Sequence, residues 1–217
     1  MIVLSYNIRG LGSIIKQRDI IRNQKVDMCF IQETKMIEFK EEVCRSWWGH
    51  NSTETAVRNS EGRSGGILCA WNKEKFVASS SWDFPGAVVL NGWWQSGNLP
   101  CCFVNIYAPI DGNEKLLLWD KLNMIVNQNV DICLCILGDF NAVRNQEERV
   151  GSSDRYGIVE ARNFDSFIRD NGLIDIRIQG RKFTWYQPTG GRKSKLDRFL
   201  VNDRWINAWP SSIGRGL

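Results

Sequence analysis

Two kinds of hydrophobic spacing take turns along this chain. Short, β-rich apolar runs recur as IVLSY (2–6), DMCFIQ (27–32), GGILCAW (65–71), AVVLNGWW (87–94), CCFVNIYA (101–108), ICLCILGD (132–139), KFTWYQ (182–187) and LDRFLV (196–201). Several are apolar without a break, as expected of strands buried on both faces. Between them the period changes to that of a helix. Ser13 is placed to cap a helix running to about Gln24, with Ile14, Ile15, Ile20 and Ile21 facing inward. Asn113 is placed to cap a second helix, in which Leu118, Leu122 and Ile125 share one stripe. A third is predicted from about Val159 to Asp170, with Ala161, Phe164, Phe167 and Ile168 on its apolar face and Asn171-Gly172 as its stop. The polar stretches at 51–64 and 187–195 read as loops. No repeat, low-complexity tract or linker interrupts this order, so one mixed α and β domain covering 1–217 is expected.

Composition changes that picture little. At 217 residues and 43% hydrophobic, the chain can bury a substantial core. Twenty-eight basic against twenty-four acidic residues give a net charge of +4, a bias that tolerates a polyanionic partner without demanding one. Cys29, Cys44, Cys69, Cys101, Cys102, Cys133 and Cys135 stand mostly inside apolar runs. Their odd number, the absence of a CxxC pair and the single histidine point to reduced core thiols, not a disulfide framework or zinc site. The chain opens on MIVLSYN without a leader pattern, and no apolar run approaches the roughly 18 residues that cross a bilayer. An intracellular protein of nucleus or cytoplasm, monomeric and without a membrane partner, is the expectation.

The informative polar residues are those at strand ends. LSYNIRG places Asn7 after the first strand, CFIQETK places Glu33 after the second, and CILGDFN places Asp139 and Asn141 after the most apolar strand of all. Strand ends are rigid platforms on which side chains from distant segments converge. A hard divalent cation such as Mg²⁺ takes oxygen ligands, usually one or two carboxylates completed by water and phosphate. Glu33 is the first choice for such a ligand, with Asn7 beside it. Asp139 suits orientation or deprotonation of an attacking water, and the Asn141 amide suits donation to a phosphoryl oxygen that gains charge in the transition state. Singly, each is also an ordinary turn residue; the combination carries the weight.

These residues sit in blocks, SYNIRGLG (5–12), QETK (32–35), SGGILCAW (64–71), NIYAP (105–109), LGDFNAV (137–143), GLIDI (172–176), GRKFTWYQP (180–188) and SKLDRFLV (194–201). In order and content they resemble the endonuclease/exonuclease/phosphatase superfamily, which includes DNase I, the apurinic/apyrimidinic endonucleases and the LINE-encoded endonucleases. The RSGGI, FTWYQP and KLDRFLV blocks look most like plant LINE-type endonuclease domains. The resemblance implies a DNase I-like α/β (α+β) sandwich of two packed mixed sheets flanked by helices. It also implies that Asn7 and Glu33 hold Mg²⁺, or Mn²⁺ in its place, and that Tyr107 contacts phosphate. Asp139 then aligns the water while Asn141 stabilises the transition state; Asp139 and Asn141 become the ligands of a second cation if one is taken. Asp197 is implied as a rim acid that orients a catalytic histidine. Asp175 and Trp185 match positions near the rim, Trp185 more as packing than as a nucleic-acid contact. The partner implied is the phosphodiester backbone of DNA.

The family's pattern closes on a Ser-Asp-His block with its strand. Here WINAWPSSIGRGL (205–217) resembles the run leading into that block and the sequence stops at Leu217; His50, in WWGHNS, lies outside every matching block. A truncated domain with weak or no catalysis is therefore expected, since a positioned acid/base group contributes about 10²–10⁴ in rate. Two alternatives stand beside this reading: a phosphatase of the same fold acting on a small phosphorylated substrate, and a non-catalytic nucleic-acid-binding remnant using Lys and Arg around 58–63 and 192–198.

Overall fold

The computed structural model describes residues 1–9, 24–39, 52–62, 65–151 and 157–216. The first predicted helix, Cys44 and His50 lie outside these residues. Internal packing divides the chain into two compact units, Met1–Tyr107 and Ala108–Leu217.

In the first unit, β1 (Val3–Asn7), β2 (Met28–Gln32), β3 (Thr53–Arg58) and β4 (Ile67–Asn72) form a mixed sheet in the order β1-β2-β4-β3. β1 and β2 are parallel, and the other pairs antiparallel. The unbroken apolar runs of β2 and β4 are buried almost throughout. β5 (Phe76–Phe84), β6 (Ala87–Trp94) and β7 (Leu99–Tyr107) form an antiparallel meander. Phe103 of β7 stacks on Phe30 of β2 at 5.4 Å between ring centres and meets Phe76 edge-on at 5.5 Å, so the two sheets share an aromatic core.

In the second unit, α1 (Gly112–Gln128) precedes β8 (Cys133–Asp139), a 3₁₀ turn at Gln146–Glu148, β9 (Arg149–Val150) and α2 (Ile158–Asp170). Short strands follow: β10 (Ile174–Asp175), β11 (Ile178–Gln179), β12 (Trp185–Tyr186) and β13 (Lys193–Ser194). β14 (Asp197–Val201), α3 (Asp203–Ala208) and β15 (Gly214–Arg215) close the described residues. β14 lies between β8 and β10, antiparallel to both. Trp119 of α1 stacks on Phe164 at 5.0 Å and Phe167 at 5.3 Å, and on Phe140 just past β8 at 6.1 Å.

Several elements differ from the sequence-based expectation. β3 lies inside the stretch read as a loop at 51–64, and β5 is a nine-residue strand where none was predicted. The cap of α1 is Asp111, whose carboxylate accepts from the Asn113 and Glu114 amides; Asn113 is inside the helix. KFTWYQ contributes only the two residues of β12. α2 keeps its predicted face, with Phe164, Phe167 and Ile168 buried, and ends at Asn171. The six described cysteines are all buried free thiols. No described helix is long and apolar enough to cross a membrane.

Candidate active site

Parallel pairing sets Asn7 opposite Gln32, so Asn7, the last residue of β1, and Glu33, the first beyond β2, leave the sheet at the same end. The Ile8 amide carries the ladder one step further, donating to the Gln32 carbonyl at 3.1 Å. Glu33 then turns with φ of 55°, in the left-handed region. Sparsely populated conformations of this kind cost a side-chain-bearing residue about 1–3 kcal/mol and persist where neighbours over-determine them. Here the neighbours are glycines: the Thr34 amide donates to the Gly66 carbonyl at 3.1 Å and the Lys35 amide to Gly65 at 3.0 Å. A β-carbon on Gly66 would lie 2.2 Å from Thr34 Oγ1, so the Gly-Gly of the SGGI block is what lets the Glu33 turn close.

The donors collected here are oxygens. Asn7 Oδ1 accepts from the Arg9 amide at 3.0 Å, and Glu33 Oε1 pairs with Lys35 Nζ at 3.0 Å with the carboxylate side chain 17% exposed. Lys35 is 39% exposed, so this ion pair is open enough to be exchanged for a metal. Among the described residues no group of three or more His, Cys, Asp or Glu side chains gathers into a metal site. One carboxylate beside one amide oxygen fits Mg²⁺ or Mn²⁺, which keep several waters, and does not fit a closed zinc site. Tyr107 ends β7, its amide held by the Gly86 carbonyl at 2.9 Å.

In the second unit the register of β8 and β14 sets Asp139 directly opposite Asp197. Asp139, 6% exposed, accepts at Oδ1 from the Asn141 amide at 2.9 Å, and its own carbonyl accepts from the Ala108 amide at 2.8 Å. Asn141, with φ of 45°, donates one amide hydrogen to the Ala108 carbonyl at 2.8 Å. Between the two polar residues Phe140 is fully buried in the aromatic core, and its amide donates to the Leu196 carbonyl at 2.9 Å. The tripeptide is thus pinned at its centre while its outer members face their polar partners.

Thr184, from the FTWYQ block, steadies the other strand: its hydroxyl accepts from the amides of both Leu196 and Asp197, each at 3.0 Å. Behind Asp197 lies Arg198, with no exposed surface. Its guanidinium donates to Glu148 Oε1 at 3.0 Å, to Glu148 Oε2 and to Asp175 Oδ2 at 2.6 Å, and lies 5.4 Å from the Phe164 ring. Lys195 Nζ adds a pair with Asp175 at 2.8 Å.

The sequence-predicted residues therefore fall into groups that the structure orders locally: Asn7 with Glu33 at one sheet end, and Asp139 and Asn141 with Asp197 across one strand pair. Asp175 is a partner of Arg198 in a buried ionic cluster, and Trp185 is half-buried on β12. Sequence reasoning passed over Gln32, Asn105, Thr184 and Arg198. The signal was present for three of them: a full amide at 32 and 105, and a charge at 198, inside runs that are otherwise apolar.

A sequence model of the Endonuclease/Exonuclease/phosphatase family matches residues 4–216. No curated protein matches the chain. Among solved structures, it is similar to an AP endonuclease from Leishmania major, with a TM-score of 0.70 and 14% identity over 93% of this chain and 79% of that one. A 3′ phosphatase, NExo from Neisseria, bound to product DNA hairpin, gives 0.69 and 14% over 93% and 86%. The endonuclease domain of TRAS1, a telomere-specific non-LTR retrotransposon, gives 0.66 and 12% over 94% and 86%. The fold is that of these DNase I-like proteins, and with a family match running across nearly all of its residues the chain belongs to the Endonuclease/Exonuclease/phosphatase family.

Proposed function

We propose that this protein is a Mg²⁺-dependent phosphodiester hydrolase that cuts DNA, of LINE-retroelement origin. The observation that carries the reading is the strained Glu33 turn, built by two glycines at the same sheet end as Asn7. Asn7 and Glu33 hold the cation, which when bound neutralises charge on a phosphoryl oxygen. Asp139, fixed by the Asn141 amide, accepts the proton of the attacking water or orients it. The second amide hydrogen of Asn141 is the donor to the phosphoryl oxygen as its charge grows. Tyr107 contacts the phosphate, and Asp197 is the carboxylate that orients an acid/base partner. Mn²⁺ replaces Mg²⁺ with the same ligands.

The test is nicking of supercoiled plasmid in Mg²⁺, run on this chain and on a version carried past Leu217 through an Asp-His segment. The longer version is expected to nick, and Glu33→Ala to lower its rate by about 10² or more. Full nicking by Glu33→Ala would refute the assignment of the metal. Phosphate release from inositol phosphates with no action on DNA would move the reading to a small-molecule phosphatase. Salt-sensitive DNA binding without cleavage would move it to a binding remnant.

A further inference from the structure

In the Met1–Tyr107 unit β1 ends on Asn7, β7 ends on Tyr107 and β2 ends one residue before Glu33, and one buried polar knot joins these three strand ends. Gln32 Nε2 donates to Asn105 Oδ1 at 2.7 Å, with Ser5 Oγ at 3.1 Å and the Phe30 carbonyl at 3.2 Å. Asn105 Nδ2 donates to the Leu68 carbonyl at 3.0 Å and the Ile31 carbonyl at 3.3 Å. Neither amide side chain has any exposed surface. Their orientation follows from chemistry: backbone carbonyls only accept, so the Asn105 NH₂ faces them, its oxygen faces Gln32, and Gln32 must donate. The knot therefore has one arrangement.

Its members stand at fixed steps from the candidate residues. Ser5 is two residues before Asn7 on β1, and Asn105 two residues before Tyr107 on β7, which places each pair on one face of its strand. Gln32 immediately precedes Glu33, and the Ile31 carbonyl held by Asn105 stands two residues before it. We propose that Gln32 and Asn105 are positioning residues for the divalent cation, locking the ends of β1, β2 and β7 so that Asn7 and Glu33 meet one ion; this rests on the metal assignment made above. Two apolar side chains of the same size would fill the space and leave no amide to satisfy, so packing alone does not call for this pair. What directional hydrogen bonds add is a single placement of the strand ends, and residues that orient metal ligands typically change affinity about 10–100-fold when removed.

The discriminating measurement is Mn²⁺ binding to the purified chain by electron paramagnetic resonance titration, with urea unfolding followed in parallel. The variants are Glu33→Ala, the double variant Gln32→Leu with Asn105→Leu, and Ser5→Ala. Wild type should bind Mn²⁺ and Glu33→Ala should not. The double variant should unfold near the wild-type urea midpoint yet bind at least about 10-fold more weakly; a purely structural role would restore both properties together. Ser5→Ala, which removes only the edge of the knot, should weaken binding by a smaller factor. Wild-type affinity in the folded double variant overturns the inference, and if that variant does not fold, wild-type affinity in Ser5→Ala overturns it. Absence of Mn²⁺ binding by wild type, or unchanged binding by Glu33→Ala, removes the metal assignment itself and the inference with it, and is distinguished because it is read without the knot variants.

Discussion

Behind Asn7 and Glu33 the protein buries neutral amides, whereas behind Asp139 and Asp197 it buries charges. The Gln32–Asn105 knot ties long strands that already share full ladders, and its bonds run to backbone carbonyls. The Arg198 cluster ties Glu148, Asp175 and Lys195, each of which lies in or beside a strand only two residues long. Where ladders are short, ionic bonds from one guanidinium supply the connection that backbone pairing cannot. The cost is that each ion depends on the others, because a buried charge is tolerated only while paired.

That contrast is sharpest under substitution. Arg198→Met should lower the unfolding free energy by about 3–5 kcal/mol in urea titration, since it takes the buried guanidinium away from Glu148 and Asp175 and leaves both carboxylates to Lys195. A loss under about 1 kcal/mol would erase the distinction between the two clusters. Asn105→Leu should cost less, about 1–3 kcal/mol, because it takes away the shortest acceptor of the buried Gln32 amide and two donated bonds but no charge. Adding Gln32→Leu should recover much of that loss.

The smallest effect concerns alkaline pH. Burial pushes the Cys102 thiol up to about 12, and pushes Cys69 to about 12 against a hydrogen bond from Asn105 that lowers it. In the unfolded chain both titrate near the ordinary value of 9.0. Above that value the unfolded state has released protons that the native state keeps, so stability is complete below it and falls as pH rises toward 12. Between about pH 8 and pH 9.5 the difference for one thiol is under about 1 kcal/mol. Cys102→Ala should flatten the decline in urea midpoint over that interval, and an unchanged slope would show that the thiol does not contribute.

Burial on both faces is what made β2, β4 and β8 legible in the sequence, since nothing but an apolar run satisfies such a position. β5 was not legible for the opposite reason: FVASSSWDF is buried only at its two phenylalanine ends, and pairing with β6 holds the rest. β3 is likewise a half-buried TETAVR whose strand conformation comes from β4. Asp111 and Asn113 are both good caps, and only the observed hydrogen bonds choose between them. The residues at strand ends could be named from their chemistry and family likeness. Their supports could not, because the double acceptance at Thr184 and the clustering of Glu148, Asp175 and Arg198 join segments that no local pattern relates.

Phe140, clamped among Trp119 and Phe164 with Asp139 and Asn141 on either side, has an evolutionary consequence. Ordinarily a hydrophobic core drifts freely so long as its volume is kept. Here any drift that tilts the ring also swings Asp139 and Asn141, so a lineage under selection for chemistry would keep the aromatic quartet of Trp119, Phe140, Phe164 and Phe167 nearly invariant. A lineage released from that selection would let it vary first.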